Sequence, residues 1–240
     1  MNLEKEKNSL IKCPKCNYKS ARKLINGDIY CSPCATVEIE EGRKQAEIKA
    51  KEDTEKYLND CKKNNYDKFL QGVGIPKKYL NVQSHEEKRS LLISGNFGTG
   101  KTYYAISAIK HYIENLPASC FVEPFTNIPR FVTIPDLLLK IRATFSLERC
   151  EEEIVDKYAN TQLLVLDDLG VEKTTEFSLQ TLYIILNRRY NEQLQTIITS
   201  NLTLDEVKDK LGDRIASRIA GMCRILKLNG KDKRLDKLKK

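Results

Sequence analysis

The sequence predicts an α/β protein, with helices on both faces of a parallel sheet and a small N-terminal module built on four cysteines. Three observations point there. Four cysteines fall in two close pairs between residues 13 and 34. From about residue 77 short apolar runs alternate with helical ones. A glycine-rich turn joins the first of those runs to the helix after it. The chain has 240 residues, 40% of them hydrophobic and 31% charged, which suits one ordinary domain beside a small one and excludes a disordered chain.

The cysteine module comes first. Cys13-Pro14-Lys15-Cys16 and Cys31-Ser32-Pro33-Cys34 are separated by 14 residues. Two such pairs at this separation are the pattern of a tetrahedral zinc site, each tight turn presenting two sulfurs to one ion. Asn26-Gly27-Asp28 between them is a hairpin-turn signal, so residues 1–36 read as a zinc ribbon. The alternative, a redox pair, would not need two copies. Cys61, Cys120, Cys150 and Cys223 are scattered and need no special role. Residues 37–71 are rich in Glu, Lys and Ala, with Glu47–Lys51 and Glu52–Lys56 at salt-bridge spacing, and read as an exposed helical linker. Gly72, Gly74 and Pro76 then break the pattern, so the main domain is expected over 72–240.

Its elements follow in order. Ser90–Ser94 is a buried strand and Thr102–Glu114 a helix with Tyr104, Ala108 and Tyr112 on one side. Between them Gly95-Asn96-Phe97-Gly98-Thr99-Gly100-Lys101-Thr102 fits the phosphate-binding loop G-x-x-x-x-G-K-[ST] at every required position. Glycines let the backbone curl so that its N–H groups face phosphate oxygens, and the helix N-terminus adds positive potential. Lys101 would reach the β- and γ-phosphates, and the Thr102 hydroxyl would bind Mg2+. Arg130–Ile134 is a strand, Pro135–Phe145 and Glu148–Tyr158 are helices, and Leu163–Leu166 is a fully apolar strand. Asp167 and Asp168 end that strand, where open parallel sheets bind ligands. Asp167 is placed for the magnesium shell and Asp168 for the attacking water, unless the pair merely caps the next helix.

Thr175–Gln193 is a long helix, Thr196–Thr199 a strand, Leu204–Leu211 and Arg214–Met222 helices, and Arg224–Leu228 a short strand. Asn201 follows the strand in Thr-Ser-Asn and reads equally as a γ-phosphate contact or a turn residue. Arg214 and Arg218 share one helix face, either for a neighbouring subunit's nucleotide or as a solvated basic face. The net charge is +8, and the last 36 residues hold 12 basic against 6 acidic side chains. That basic end suggests a nucleic-acid partner or a solubilising tail. No apolar run is long enough to span a membrane, and the first residues lack a signal peptide's apolar stretch, so a cytoplasmic protein is expected.

These motifs together resemble the bacterial and phage replicative helicase loaders of the DnaC/DnaI type, AAA+ ATPases of the IstB-like superfamily. The resemblance covers about residues 70–240 and rests on GIPKKYL, GNFGTGKT, PDLLLKIRATF, LLVLDDLG, the ILNRRY…TIITSNL run and GDRIASRI. It implies an AAA+ P-loop domain that hydrolyses ATP with Mg2+. By the same resemblance Asn201 is sensor 1, Arg218 the arginine finger with Arg214 as accessory, and Arg234 falls near the sensor-2 arginine. Arg188 and Arg189 would face a neighbour or DNA, or complement their helix end. Lys140 and Arg142 would touch single-stranded DNA. The four-cysteine module is similar to the helicase-docking domain of DnaI-like members. The expected partners are a DnaB-type hexameric helicase, single-stranded DNA and further copies of the chain bridged by ATP. The expected function is ATP-dependent helicase loading, with hydrolysis as a release switch. A transposition regulator acting on duplex DNA and a non-hydrolysing helicase adaptor are the alternatives.

Overall fold

The computed structural model describes residues 13–17, 23–25, 28–122, 128–144 and 151–233. They fall into two compact units, Met1–Asp60 and Cys61–Lys240.

In the first unit β1 (Lys23–Ile25) and β2 (Asp28–Tyr30) form an antiparallel pair with Lys23 opposite Tyr30. Asp28 belongs to the strand rather than the turn, and residues 26–27 lie outside the described set. Helix α1 runs from Ser32 to Val73, five residues earlier than the composition of 37–71 suggests. The second cysteine pair starts it: Pro33 sits in the first turn, where its missing N–H costs nothing. Through residue 68 the helix is polar nearly all round and mostly exposed. Among the described residues no ion pair joins Glu47 to Lys51 or Glu52 to Lys56. Exposed pairs of this kind gain only a few tenths of a kcal/mol, about ~0.3–0.5, too little to hold long side chains together.

In the second unit the last turns of α1 bury Phe69, Leu70 and Val73. A 3-10 turn (Lys77–Tyr79) leads to β3 (Leu91–Ser94), and α2 (Lys101–Glu114) follows. Then come β4 (Arg130–Thr133), α3 (Ile134–Thr144), α4 (Glu151–Ala159), β5 (Leu163–Leu169) and α5 (Glu176–Asn191). The unit ends with β6 (Gln195–Ser200), α6 (Leu204–Leu211), α7 (Asp213–Met222) and β7 (Arg224–Lys227). Residues 145–150, which include the start expected for the second of these helices, lie outside the described set. The five strands are ordered β4-β5-β6-β3-β7, and every pairing is parallel.

Period-two alternation divides the strands between two cores. Leu91, Ile93, Leu163, Val165 and Ile197 pack with α2 and the end of α1. Leu92, Leu164, Leu166 and Ile198 pack with α3 to α7 on the other face. On α2 the buried side is Ala105, Ile106, Ala108, Ile109 and Ile113, whereas Tyr104 and Tyr112 are only partly covered. Capping boxes start α5 (Thr175 with Ser178) and α6 (Thr203 with Glu206), so each helix begins where its orphan N–H groups find partners.

Arg189 corrects an expectation. It faces neither solvent nor a neighbour: it is wholly buried. Its guanidinium donates to the carbonyls of Tyr158, Ala159, Thr161 and Gln195 and to Thr196 Oγ1, at 2.6 to 3.1 Å. Burial pulls its pKa down to about 9, still charged at neutral pH. The arginine ties the end of α5 to the ends of α4 and β6, and only the three-dimensional meeting of those ends creates its five acceptors. Arg188, beside it, pairs with Asp156 on α4. Among the described residues no helix is long and apolar enough to cross a membrane.

Candidate functional site

The P-loop joins β3 to α2. Gly95 (φ 151°) and Gly98 (φ 71°) hold backbone conformations that L side chains rarely adopt. A Cβ at Gly95 would also run into the Leu228 carbonyl, and one at Gly98 into the Asp232 carboxylate. Thr99 Oγ1 donates to the Asn96 carbonyl at 2.9 Å and closes the loop. Lys101 opens α2 and is 6% exposed. Its Nζ donates at 2.7 Å to the carbonyls of Gly95 and Asn96 and to Asn201 Oδ1. The two residues, 100 positions apart, meet because β3 and β6 are adjacent parallel strands with Ser94 opposite Ser200.

Asp167 lies inside β5, two residues before its end and 4% exposed, and two hydroxyls hold its carboxylate. Thr199 Oγ1 donates to Oδ1 at 2.6 Å, and Thr102 Oγ1 to Oδ2 at 3.3 Å. Burial pushes its pKa above the ordinary carboxylate value, and the negative charge of Asp168 adds to that push against the two hydroxyl bonds. A cation against this carboxylate would favour its charged form, so the donor set (Thr102 hydroxyl, Asp167 carboxylate) fits magnesium.

At Asp168 the β5–β6 register shifts by one residue: Leu166 faces Ile198, but Leu169 faces Ser200. Asp168 takes the left-handed conformation, φ 62°. Such a conformation costs a non-glycine residue about ~1–3 kcal/mol. Thr199 compensates, because its Oγ1 accepts the Asp168 N–H at 3.0 Å. The bulge turns the Asp168 side chain into a cleft of about 1290 Å³, which Lys101, Thr102 and Asn201 also line. Tyr79, Val82, His85 and Tyr104 line the same cleft. One hydroxyl thus serves both aspartates; the sequence reading missed Thr199, although it precedes Asn201 in the Thr-Ser-Asn run.

Arg218 lies on α7, half-buried and not among the residues that line the cleft. Its Nε donates to Asn187 Oδ1 at 2.7 Å, and its guanidinium lies 5.0 Å from the centre of the Tyr190 ring. Among the described residues it has no carboxylate partner. Asn187 and Tyr190 come from the ILNRRY run, which sequence reasoning used for its arginines alone. Arg214 is exposed on the same helix. Arg234 lies outside the described residues. Its neighbour Lys233 lines the cleft, with its N–H donating to the Gly98 carbonyl at 3.1 Å. On α3, Lys140 donates to the Tyr158 hydroxyl at 3.4 Å and Arg142 lies over the Phe177 ring at 5.1 Å.

The four cysteines of the first unit converge. The Sγ atoms of Cys13, Cys16, Cys31 and Cys34 all lie within 4.8 Å of one another, with Cys16 and Cys31 at 3.5 Å. A tetrahedral zinc with bonds of about 2.3 Å needs sulfurs roughly ~3.8 Å apart, so the cluster fits. Cys34 lies in the first turn of α1, so the second pair is a strand-to-helix junction rather than a strand-borne turn. Burial opposes ionisation of Cys13, but the backbone N–H groups of Cys31, Cys16 and Lys15 outweigh it and bring the thiol down to about 6. Cys34 is pushed up to about 12 by the Cys31 and Cys16 sulfurs and by burial. Four thiolates this close repel one another, and a divalent cation removes that repulsion. Lys15 Nζ pins the first pair to α1 through Glu41 (2.9 Å) and Glu38 (3.1 Å).

The family model of IstB-like ATP binding proteins matches residues 77–240. The replicative helicase loader DnaC of Buchnera aphidicola (subsp. Baizongia pistaciae) is 29% identical over 170 residues, which cover 69% of this chain and 65% of that one. DnaC of Escherichia coli K12 is 26% identical over 131 residues, 54% of this chain and 49% of that one. The chain therefore spans about half to two thirds of the length of these relatives. Among solved structures, a DnaC helicase loader superposes with a TM-score of 0.52 at 22% identity, over 64% of this chain and all of that one. DnaI superposes with a TM-score of 0.50 at 21% identity, over 68% of this chain and 84% of that one. Those two likenesses establish the AAA+ P-loop fold. With the matched region holding the whole P-loop site, the chain belongs to the family of IstB-like ATP-binding proteins.

Proposed function

We propose that the protein is an ATP-dependent loader of a DnaB-type hexameric helicase onto single-stranded DNA. The observation that carries the nucleotide half is the meeting of Lys101 Nζ and Asn201 Oδ1 at 2.7 Å, beside the Asp167 carboxylate. The similarity to DnaC loaders and the four-cysteine module support the helicase half.

In this reading Lys101 leaves the loop carbonyls and binds the β- and γ-phosphates, while the N–H groups from Gly95 to Thr102 cradle them. Bound magnesium, held by Thr102 and Asp167, neutralises phosphate charge. Asp168 orients the attacking water and draws its proton. Asn201, freed as Lys101 turns, reports whether a γ-phosphate is present. Arg218 of one copy stabilises charge on the phosphoryl group held by the next, with Arg214 as accessory. Arg234 contributes a further cation to the phosphates. Residues 1–36, with zinc on Cys13, Cys16, Cys31 and Cys34, dock the helicase. Residues 37–71 link them to the ATPase domain, 72–240. ATP joins copies of the chain along single-stranded DNA, and hydrolysis releases the loader from the placed helicase.

The matching family model bears the IstB name, so a transposition regulator acting on duplex DNA is the second reading. The deciding experiment mixes the protein with its host's replicative helicase and magnesium ATP and weighs the complex. A stable complex that disassembles as ATP is consumed supports loading. Absence of any complex, with duplex-dependent filaments instead, supports the second reading.

A further inference from the structure

A buried lysine that the phosphate chemistry does not use stands in α2. Lys110 is 7% exposed, and among the described residues it has no carboxylate partner. Its Nζ donates instead to two main-chain carbonyls, Leu80 and Val82, each at 2.7 Å. Burying an ammonium costs free energy unless it is hydrogen-bonded, and here the described acceptors are these two main-chain carbonyls.

They belong to the stretch whose Tyr79, Val82 and His85 line the same cleft as the P-loop. That stretch needs holding. After the 3-10 turn ending at Tyr79 it carries no regular structure until β3 begins at Leu91. Two further contacts come from α2 at the same spacing. The His85 N–H donates to the Ser107 carbonyl at 3.1 Å, and the His85 ring lies 5.4 Å from that of Tyr104. Tyr104, Ser107 and Lys110 are three residues apart, so they form one row along the helix. The helix begins at Lys101. Nine residues on, at roughly ~1.5 Å each, Lys110 lies about ~13 Å along the axis from the phosphate lysine. One helix therefore carries the phosphate lysine and also holds residues 80–85.

We infer that Lys110 is a positioning residue for the nucleobase: it holds the 79–85 wall at a set distance from the P-loop, so that a nucleotide bound by its phosphates meets an ordered apolar and aromatic surface. The inference rests on the nucleotide reading above and adds the group that sets base affinity. It requires phosphate and base binding to be separable.

The test compares two probes, magnesium ATP and magnesium tripolyphosphate, on the parent protein, Lys110→Met and Lys110→Arg. Lys110→Met should lose at least tenfold in ATP affinity while tripolyphosphate affinity stays within twofold. Lys110→Arg, which keeps a cation donating to carbonyls, should recover most of the ATP loss. Amide hydrogen exchange at 79–85 should quicken in Lys110→Met and stay unchanged through the P-loop. Should Lys110→Met prove unstable, Lys110→Gln, a donor without the charge, is scored by the same ratio of the two affinities. Unchanged ATP affinity, or equal loss of both probes in a folded variant, overturns the inference. A parent protein that binds neither probe overturns the nucleotide reading itself.

Discussion

The two compact units hold themselves together by different means. In the second, two apolar cores cover both faces of a five-stranded sheet. In the first, the buried apolar residues described are Cys13, Cys31 and Ala35, and its sheet is one short hairpin. Folding free energy in the large unit comes from apolar area removed from water. In the small one our proposal assigns it to an ion held by the four thiolates, since the cysteine module of residues 1–36 falls below the ~40 residues that usually bury enough surface alone. A core tolerates the loss of single atoms gradually, whereas a tetrahedral site fails when one ligand is lost.

The sharpest way to break that comparison is to take the metal away. Chelation, or Cys16→Ser, should unfold the hairpin and the start of α1, because structural zinc contributes roughly ~10 kcal/mol or more to such modules. Melting of the second unit and its nucleotide affinity should stay as they were. Atomic absorption giving far less than one zinc per freshly purified chain, or a module that keeps its fold without metal, would end the contrast.

The next test asks whether a polar feature can carry as much of the large unit as its apolar core. Arg189→Met takes the guanidinium away from five acceptors, three of them in buried bonds. It should cost about 1–3 kcal/mol in denaturant unfolding of the second unit, with zinc content unchanged. A loss under one kcal/mol would mean that water replaces the guanidinium.

Within the nucleotide site, Lys101→Ala should abolish ATP binding, because the phosphates lose their charge partner. Asp168→Asn should preserve binding and block hydrolysis, since the amide cannot draw a proton from water. Parental turnover by Asp168→Asn would remove that residue from the chemistry. Arg218→Ala should bind nucleotide as a monomer normally but hydrolyse slowly. Mixed with Lys101→Ala protein it should regain part of the activity, because one variant supplies the site and the other the arginine. Co-assembled mixtures with no recovery at any ratio would instead assign Arg218 to DNA.

The smallest effect expected is local. Thr203→Ala removes the side-chain acceptor that caps α6. It should lower the stability of the second unit by about ~1 kcal/mol without touching zinc or nucleotide binding. A change in ATP affinity here would show that α6 is coupled to Asn201, two residues before the cap.

Features that depend on neighbours in the chain were legible from the residues alone. Four cysteines at fixed spacing, eight consecutive P-loop positions, an apolar run ending in two aspartates and the alternation of strands with helices are all local patterns, and their chemistry follows from spacing. Features that depend on which strands and helices become neighbours were decided by the tertiary structure. Nothing in the sequence order says that β6 lies between β5 and β3, yet its pairing with β3 brings Asn201 to Lys101 and its pairing with β5 lets Thr199 serve both aspartates. Arg189 and Lys110 look like surface cations in the sequence, because a charged residue on a helix is normally solvated. Only the packed fold supplies the converging carbonyls that make burial of those two charges favourable.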